Sequence, residues 1–390
     1  MRIVQYSKGL NVESGGVVRA VLNLSRCLAD AGHEIVLLTP SVGDAPANWI
    51  EGAPGVPRII QLPPPSRRLG RLTPAARRMA ADEIRSADLL HIHAVWHMSN
   101  TQLASIARDA GIPYVQSLHG MLDDWSMSLS AMKKRVFLAL GGRKTLLGAS
   151  MVHCTAEAER EQSMPRIPGA RSCVVPLAVD LAPFETMPGV EIAHKEFPGS
   201  HWSGEPVVLF VGRLHEVKGV DLLLRAMRLT LDRGVQFRLL IAGTGDAESE
   251  RKLRDLAAEL DLGDGVAFLG HVRGEAKISL YQAADLFALP SLHENFGFVL
   301  PEAMAAGTAC LTSPGVAIWK ELKSCGGAEI VDRDAESIAE GLGALLSDPK
   351  RLQEMGAAGR SWAFENLTQG RVVAAFEAMY DQAIGQASAG

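Results

Sequence analysis

The 390-residue chain is poor in aromatic residues (5%), and it has no stripe of aromatic and basic residues of the kind that single-stranded nucleic acid uses as a stacking platform. Its five cysteines (27, 154, 173, 310 and 325) are odd in number and contain no CxxC pair. A disulfide scaffold is therefore not expected, and the cysteines read as reduced core thiols of a cytoplasmic protein. No apolar run approaches the ~18 residues of a membrane span. No signal peptide is expected either, because Met1-Arg2 leads directly into a strand pattern, Ile3-Val4-Gln5-Tyr6. GxGxxG is absent and no acidic residue ends the second strand candidate, which argues against a nicotinamide dinucleotide site. GxxxxGK[ST] is absent too, which argues against a P-loop.

What is present is ordinary for a soluble protein: 47% hydrophobic and 21% charged residues, in a length that allows two or three domains. The net charge of −5 is unevenly spread. Residues 1–195 carry 21 Lys and Arg against 17 Asp and Glu, or +4; residues 196–390 carry 18 against 27, or −9. The two halves therefore suit different partners, although neither total is large enough to point to nucleic acid.

Short apolar strands alternate with longer helical patterns along the whole chain, the signature of α/β architecture with parallel sheets. Strand 2–6 is followed by Ser14-Gly15-Gly16 and an amphipathic helix from Val17 to about Ala31. The glycine pair is either a tight turn or a place where backbone approaches a ligand at the helix N-terminus. Residues 43–66 hold six of the twenty prolines and read as an irregular connection. Two basic, apolar-rich stretches follow. One contains Arg67, Arg68, Arg71, Arg77, Arg78 and Arg85; the other spans roughly Ser128 to Leu147 with Lys133, Lys134, Arg135, Arg143 and Lys144. Each is either a solvated face or a surface for anionic lipid headgroups or a phosphate-bearing acceptor. His91 and His93 share one strand face without a carboxylate or thiol cluster and read as structural. His119 ends a strand, Pro113–Leu118, at the position where open α/β sheets bind ligands.

Regular alternation lapses over 180–206, with Pro183, Pro188, Pro198 and Pro206, and marks the domain boundary. Beyond it, strand Val207–Val211 runs into Gly212-Arg213-Leu214-His215-Glu216-Val217-Lys218-Gly219 before a helix. Two cations on such a turn can clamp a diphosphate. Farther on, an apolar strand candidate, Leu286–Pro290, precedes Glu294-Asn295-Phe296-Gly297-Phe298-Val299-Leu300-Pro301-Glu302, which opens a helix stopped at Gly307. A fully helical span would set these two glutamates roughly 12 Å apart. That is too far for acid/base work on one bond, which wants about 5 to 10 Å. The pair is better placed to hold two ends of one extended ligand, with the backbone of Asn295, Phe296 and Gly297 between them.

Taken in order, Gly212-Arg213…Lys218-Gly219 and the Glu–seven residues–Glu pattern resemble the family 4 retaining glycosyltransferases. That resemblance covers essentially the whole chain. It implies the GT-B architecture: two facing Rossmann-like domains with parallel sheets and an interdomain cleft. The N-terminal, acceptor-side domain is expected over 1–195 and the nucleotide-sugar-binding domain over 196–368, with the last helix, 369–390, packing back on the first. It further implies that Arg213 and Lys218 bind the donor diphosphate and stabilise it as leaving group, so that no metal and no cofactor is expected. Glu302 would hold the ribose, and Glu294 with the backbone of Asn295, Phe296 and Gly297 the donor sugar. The backbone around His271 and Val272 would read the base, Gly16 would approach the phosphates or the acceptor, and His119 would line the sugar site.

The segments around His91–Trp96 and Ser117–Leu122 look most like bacterial members that build surface polysaccharides. The implied activity is retaining, metal-independent transfer from a UDP- or GDP-sugar to a glycan or glycolipid, in the cytoplasm or at the inner face of the membrane, with no nucleic acid partner. Two alternatives remain open: a nucleotide-sugar 2-epimerase of the same fold, and a non-enzymatic nucleotide-sugar-binding protein. One departure concerns the interdomain approach, where this chain has Pro176-Leu177-Ala178-Val179-Asp180 in place of the family's Pro-Asn-Gly-Val-Asp.

Overall fold

The computed structural model describes residues 1–11, 13, 15–66, 70–198 and 204–387. Ser14 of the glycine turn and Arg67, Arg68 and Leu69 of the first basic stretch lie outside the described residues. Contacts divide the chain into two units, Met1–Ala178 with Gln369–Gly390, and Val179–Thr368.

In the first unit, near-continuous apolar runs form strands buried on both faces, as a helix-covered parallel sheet requires. The sheet comprises β1 (Arg2–Tyr6), β2 (Glu34–Thr39), β3 (Arg58–Gln61), β4 (Leu89–His93), β5 (Tyr114–Ser117), β6 (Met151–Cys154) and β7 (Ser172–Val174), of which the edge strands β3 and β7 are only partly buried. All pair in parallel, in the order β3-β2-β1-β4-β5-β6-β7. Alternate residues serve opposite faces. Val4, Val36 and Leu90 join a core with the helices Pro74–Arg85 and Met98–Asp109, whereas Ile3, Ile35 and Leu89 join one with Val372, Phe376 and Tyr380 of the helix Gln369–Ala387. The C-terminal helix is thus part of the first unit's core.

Residues 43–66, expected to be irregular, contain a short helix, Ala47–Ile50, and the edge strand β3. An edge position tolerates the prolines that flank that strand. The expected boundary at 195/196 lies inside the second unit. Helix Glu191–Glu196 is fixed there by Ala193, whose N–H donates to Ser279 Oγ (2.9 Å), and Gly189 N–H donates to Gln282 Oε1 (2.9 Å).

The second unit has a six-stranded parallel sheet built from β8 (Val207–Val211), β9 (Arg238–Ala242), β10 (Val266–Gly270), β11 (Leu286–Leu289), β12 (Ala309–Thr312) and β13 (Ala328–Ile330). Its order is β10-β9-β8-β11-β12-β13. The chain winds outward from β8 in one direction and from β11 in the other, so the order reverses between these two adjacent strands.

Candidate active site

A reversal of strand order leaves a crevice at the carboxyl ends of the two strands, the place where open α/β sheets take ligands. Here the loop after β8, Gly212–Gly219, meets the loop after β11, Pro290–Phe298. Leu292 N–H donates to Val217 O (2.7 Å) and locks one loop to the other. Gly219 has φ +73°, and a Cβ there would stand 2.4 Å from Pro290 O, so only glycine fits. The Arg333 guanidinium ties both loops by donating to Pro290 O and Glu216 O, each at 3.2 Å. On the far side of the β8 loop, a Cβ on Gly243 would fall 1.8 Å from Gly212 O, and Leu214 N–H donates to Thr244 O (2.9 Å).

The crevice carries paired charge. Lys218 Nζ donates to Glu294 Oε2 in an ion pair whose side chains are 18% and 23% exposed. Burial, joined by the nearby positive charge of Arg213, pulls the Lys218 ammonium down from 10.5 to about 8. Arg213 itself is exposed. Glu294 is positioned by its backbone: its N–H donates to Gly315 O (2.9 Å), and its carbonyl accepts from Ala317 N–H (2.9 Å). Gly297, at φ +66°, turns the chain beneath it, where a Cβ would come 3.0 Å from Glu294 Cγ. Asn295 follows Glu294, and Phe296 is buried with its ring edge-on to Phe298 at 5.3 Å. These residues precede the helix Val299–Ala305.

Glu302 lies in the first turn of that helix and is 2% exposed. Its Oε2 accepts from Lys277 Nζ (2.9 Å) and Tyr281 OH (3.1 Å), both on the helix Gly274–Ala283. His271 and Val272 follow β10; His271 is exposed and Val272 buried.

In the first unit, Gly16 opens the helix Gly16–Asp30 and is exposed. His119 follows β5 with φ +54°, buried, its ring stacked on His93 with centroids 5.4 Å apart. His93 Nε2 lies 3.3 Å from Gln5 Oε1, His93 Nδ1 lies 3.1 Å from His119 Nε2, and His119 Nδ1 has no hydrogen-bond partner among the described residues. Burial is the leading reason that the His119 imidazole is pushed down to about 3. A second chain runs one way from Tyr380 OH to His91 Nδ1 (2.9 Å), from His91 Nε2 to Ser117 Oγ (2.7 Å), from Ser117 to His153 Nδ1 (2.6 Å) and from His153 Nε2 to Val175 O (2.8 Å).

Two family models match this chain, "Glycosyl transferases group 1" over residues 193–362 and "Glycosyltransferase Family 4" over residues 14–183. The D-inositol 3-phosphate glycosyltransferase of Nocardia farcinica is 31% identical over 381 residues, covering 90% of this chain and 82% of its own. The phosphatidyl-myo-inositol mannosyltransferase of Mycolicibacterium smegmatis is 32% identical over 341 residues, covering 86% and 82%. The chain belongs to glycosyltransferase family 4. Its fold is GT-B, shared for example with Anabaena HepE, solved in complex with UDP, at a TM-score of 0.78 and 19% identity over 97% of this chain and 99% of that one.

In this glycosyltransferase, Arg213, Lys218, Glu294, Asn295, Phe296 and Gly297 fall on the two loops at the reversal, with Glu302 on the helix that the second loop enters. Gly16 and His119 belong to the other unit. Sequence reasoning missed Lys277 and Tyr281, whose only signal is a spacing of four residues on one helix, which gives them a common face. It also passed over Asp332-Arg333-Asp334, an Asp-x-Asp sequence. The structure uses Asp334 as a helix cap, with Oδ1 accepting from Ser337 N–H (2.8 Å) and Oδ2 from Ser337 Oγ (2.8 Å). Among the described residues, no group of three or more His, Cys, Asp or Glu side chains is arranged to hold a metal ion, and no helix is long and apolar enough to cross a membrane.

Proposed function

We propose that this glycosyltransferase moves a sugar from a UDP- or GDP-sugar to a glycan or glycolipid acceptor, with retention of anomeric configuration and without a metal ion. The observation that carries this reading is the Lys218–Glu294 ion pair at the strand reversal, with the charge of Arg213 beside it. Cleavage of the bond between the anomeric carbon and the diphosphate sends its electron pair onto the departing oxygen. Arg213 and Lys218 offset the charge that develops there, the kind of stabilisation that is strongest in a site withdrawn from water. Glu294 accepts from hydroxyls of the sugar and Glu302 from those of the ribose, while the backbone at His271 and Val272 reads the base. Buried in the first unit, His119 Nδ1 is suited to a hydrogen bond with a sugar hydroxyl, which can donate or accept, and the exposed Gly16 offers close backbone approach. The acceptor hydroxyl attacks the face that the diphosphate leaves and passes its proton to the departing phosphate oxygen.

The names of the relatives support a polyol or lipid-linked acceptor, since they act on inositol 3-phosphate and phosphatidyl-myo-inositol. A cytoplasmic enzyme of surface-polysaccharide synthesis, meeting its acceptor at the inner membrane face, fits this chemistry. Calorimetric titration of UDP, GDP and ADP in EDTA, followed by NMR of the transfer product, tests the reading. Tight binding of UDP or GDP and a retained anomeric configuration are expected. An inverted product, or binding that requires added metal, would overturn it. Conversion of the sugar nucleotide in the absence of acceptor would favour a 2-epimerase instead.

A further inference from the structure

One buried carboxylate of the first unit has no part in the chemistry above. Glu159 lies in the first turn of the helix Glu157–Ser163 and is 1% exposed. Its Oε2 accepts from Thr155 N–H (2.5 Å) and Thr155 Oγ1 (2.9 Å), where the chain leaves β6. Its Oε1 accepts from Gly120 N–H, where the chain leaves β5. A single side chain thus ties the carboxyl ends of two neighbouring strands. Among the described residues its donors are two backbone amides and a hydroxyl, and no Lys or Arg pairs with it. Burial raises this carboxyl, and the bonds from Gly120 and Thr155 oppose the rise. A carboxylate withdrawn from water without a cation is costly to fold.

What it holds is a turn of uncommon backbone. His119 has φ +54° and Gly120 φ +72°, two left-handed residues in succession. Glycine takes that conformation freely, whereas a histidine takes it at a cost. The turn leaves the His119 ring buried and stacked on His93, with Nδ1 unpartnered among the described residues. Without its anchor at Gly120 the chain can relax to negative φ, which turns the imidazole away from where the fold presents it. A carboxylate suits this task because its two oxygens serve both strand exits at once. An amide in its place offers one oxygen, and its NH2 group meets an N–H.

We propose that Glu159 is a positioning residue for the donor sugar: through Gly120 it fixes the turn that presents the His119 imidazole to a sugar hydroxyl. The inference rests on the reading of His119 given under the proposed function. Glu159 touches neither sugar nor nucleotide in this account and acts only through the turn.

Calorimetric titration of UDP, GDP, UDP-glucose and GDP-mannose into the wild type, Glu159→Gln, His119→Ala and the double variant tests this. Glu159→Gln is expected to weaken the sugar nucleotide about three- to tenfold, the range of one lost hydrogen bond, and to leave the bare nucleotide unchanged. In the His119→Ala background the same substitution should cost less than about twofold more, because the two residues act in series. Glu159→Asp keeps the charge with a shorter reach and should fall in between; it carries the test if the glutamine variant does not fold. Equal weakening of nucleotide and sugar nucleotide, an unchanged affinity for the sugar nucleotide, or additive losses in the double variant would overturn the proposal and leave the transferase reading standing. A wild type that binds neither UDP nor GDP would overturn both.

Discussion

Lys218 and Glu294 neutralise each other where β8 and β11 part, in an ion pair with both side chains largely withdrawn from water. A diphosphate that takes Lys218 as its counter-ion must separate them, and the released carboxylate is then available to sugar hydroxyls. Glu294→Gln removes the internal competitor. Binding of UDP or GDP should be unchanged or tighter by up to about tenfold, while transfer from the sugar nucleotide falls on the order of 10²–10³-fold. Calorimetry and turnover measured on the same preparation check both. A parallel loss of binding and turnover would sink the competition idea.

The ammonium of Lys218, lowered to about 8, gives the site a pH dependence of definite sign. Below that value the group is charged and available to a diphosphate; above it the charge is lost. Nucleotide affinity should be flat near neutrality and fall by about tenfold per pH unit above 8. Lys218→Arg should abolish the fall, because a guanidinium stays protonated throughout this range.

Lys277 and Tyr281 both donate to one oxygen of the buried Glu302 carboxylate. Replacing Lys277 with Met leaves that carboxylate short of a cation and should lower the unfolding free energy by about 1–3 kcal/mol, and Tyr281→Phe by about 1 kcal/mol. Adding Glu302→Gln to Lys277→Met should recover part of the loss. Urea titrations of these two single variants, of Glu302→Gln alone and of the double variant measure this, and additive losses in the double variant would show that the contacts are not coupled.

Acid should weaken the first unit. His91, His93, His119 and His153 are buried, and burial is the leading cause that lowers each imidazole, to about 3 for His119 and about 4 for His153. Unfolding frees each ring to bind a proton near its ordinary 6.5. The unfolded chain therefore takes up more protons between the two values, and stability, constant above about 6.5, drops as the pH falls. The slope approaches about 1.4 kcal/mol per pH unit for each imidazole. Thermal melts across this range test it; a melting temperature unmoved between pH 7 and pH 5 would refute it.

Much of this was legible beforehand because parallel strands buried on both faces write themselves as unbroken apolar runs. Val207–Val211 and Leu286–Leu289 are examples, and the residues that follow them are therefore placed as soon as the strands are. Lys218 and Glu294 were named for their residue types and setting, but their direct pairing depends on two loops meeting, a tertiary fact. Glu302 in a first helical turn reads as a solvated, dipole-compensating acid, and the cation that makes its burial tolerable stands on another helix. The edge strand Arg58–Gln61 was hidden among prolines, which speak against a central strand and not against an edge. The end of the first unit was misplaced because proline and glycine marked the lapse in pattern, whereas the packing of Ala193 beneath Ser279 decides to which unit the segment adheres.

The helix Gln369–Ala387 bears on the order in which the protein is made. The second unit is one uninterrupted stretch, Val179–Thr368, and can close as soon as it leaves the ribosome. The first unit, although translated earlier, waits for its last helix: until Tyr380 arrives, His91 Nδ1 lacks its donor and the sheet face around Ile3, Leu89 and Val115 lacks its cover. The later unit therefore has all of its chain before the earlier one does, and can close while the earlier one still lacks its last helix.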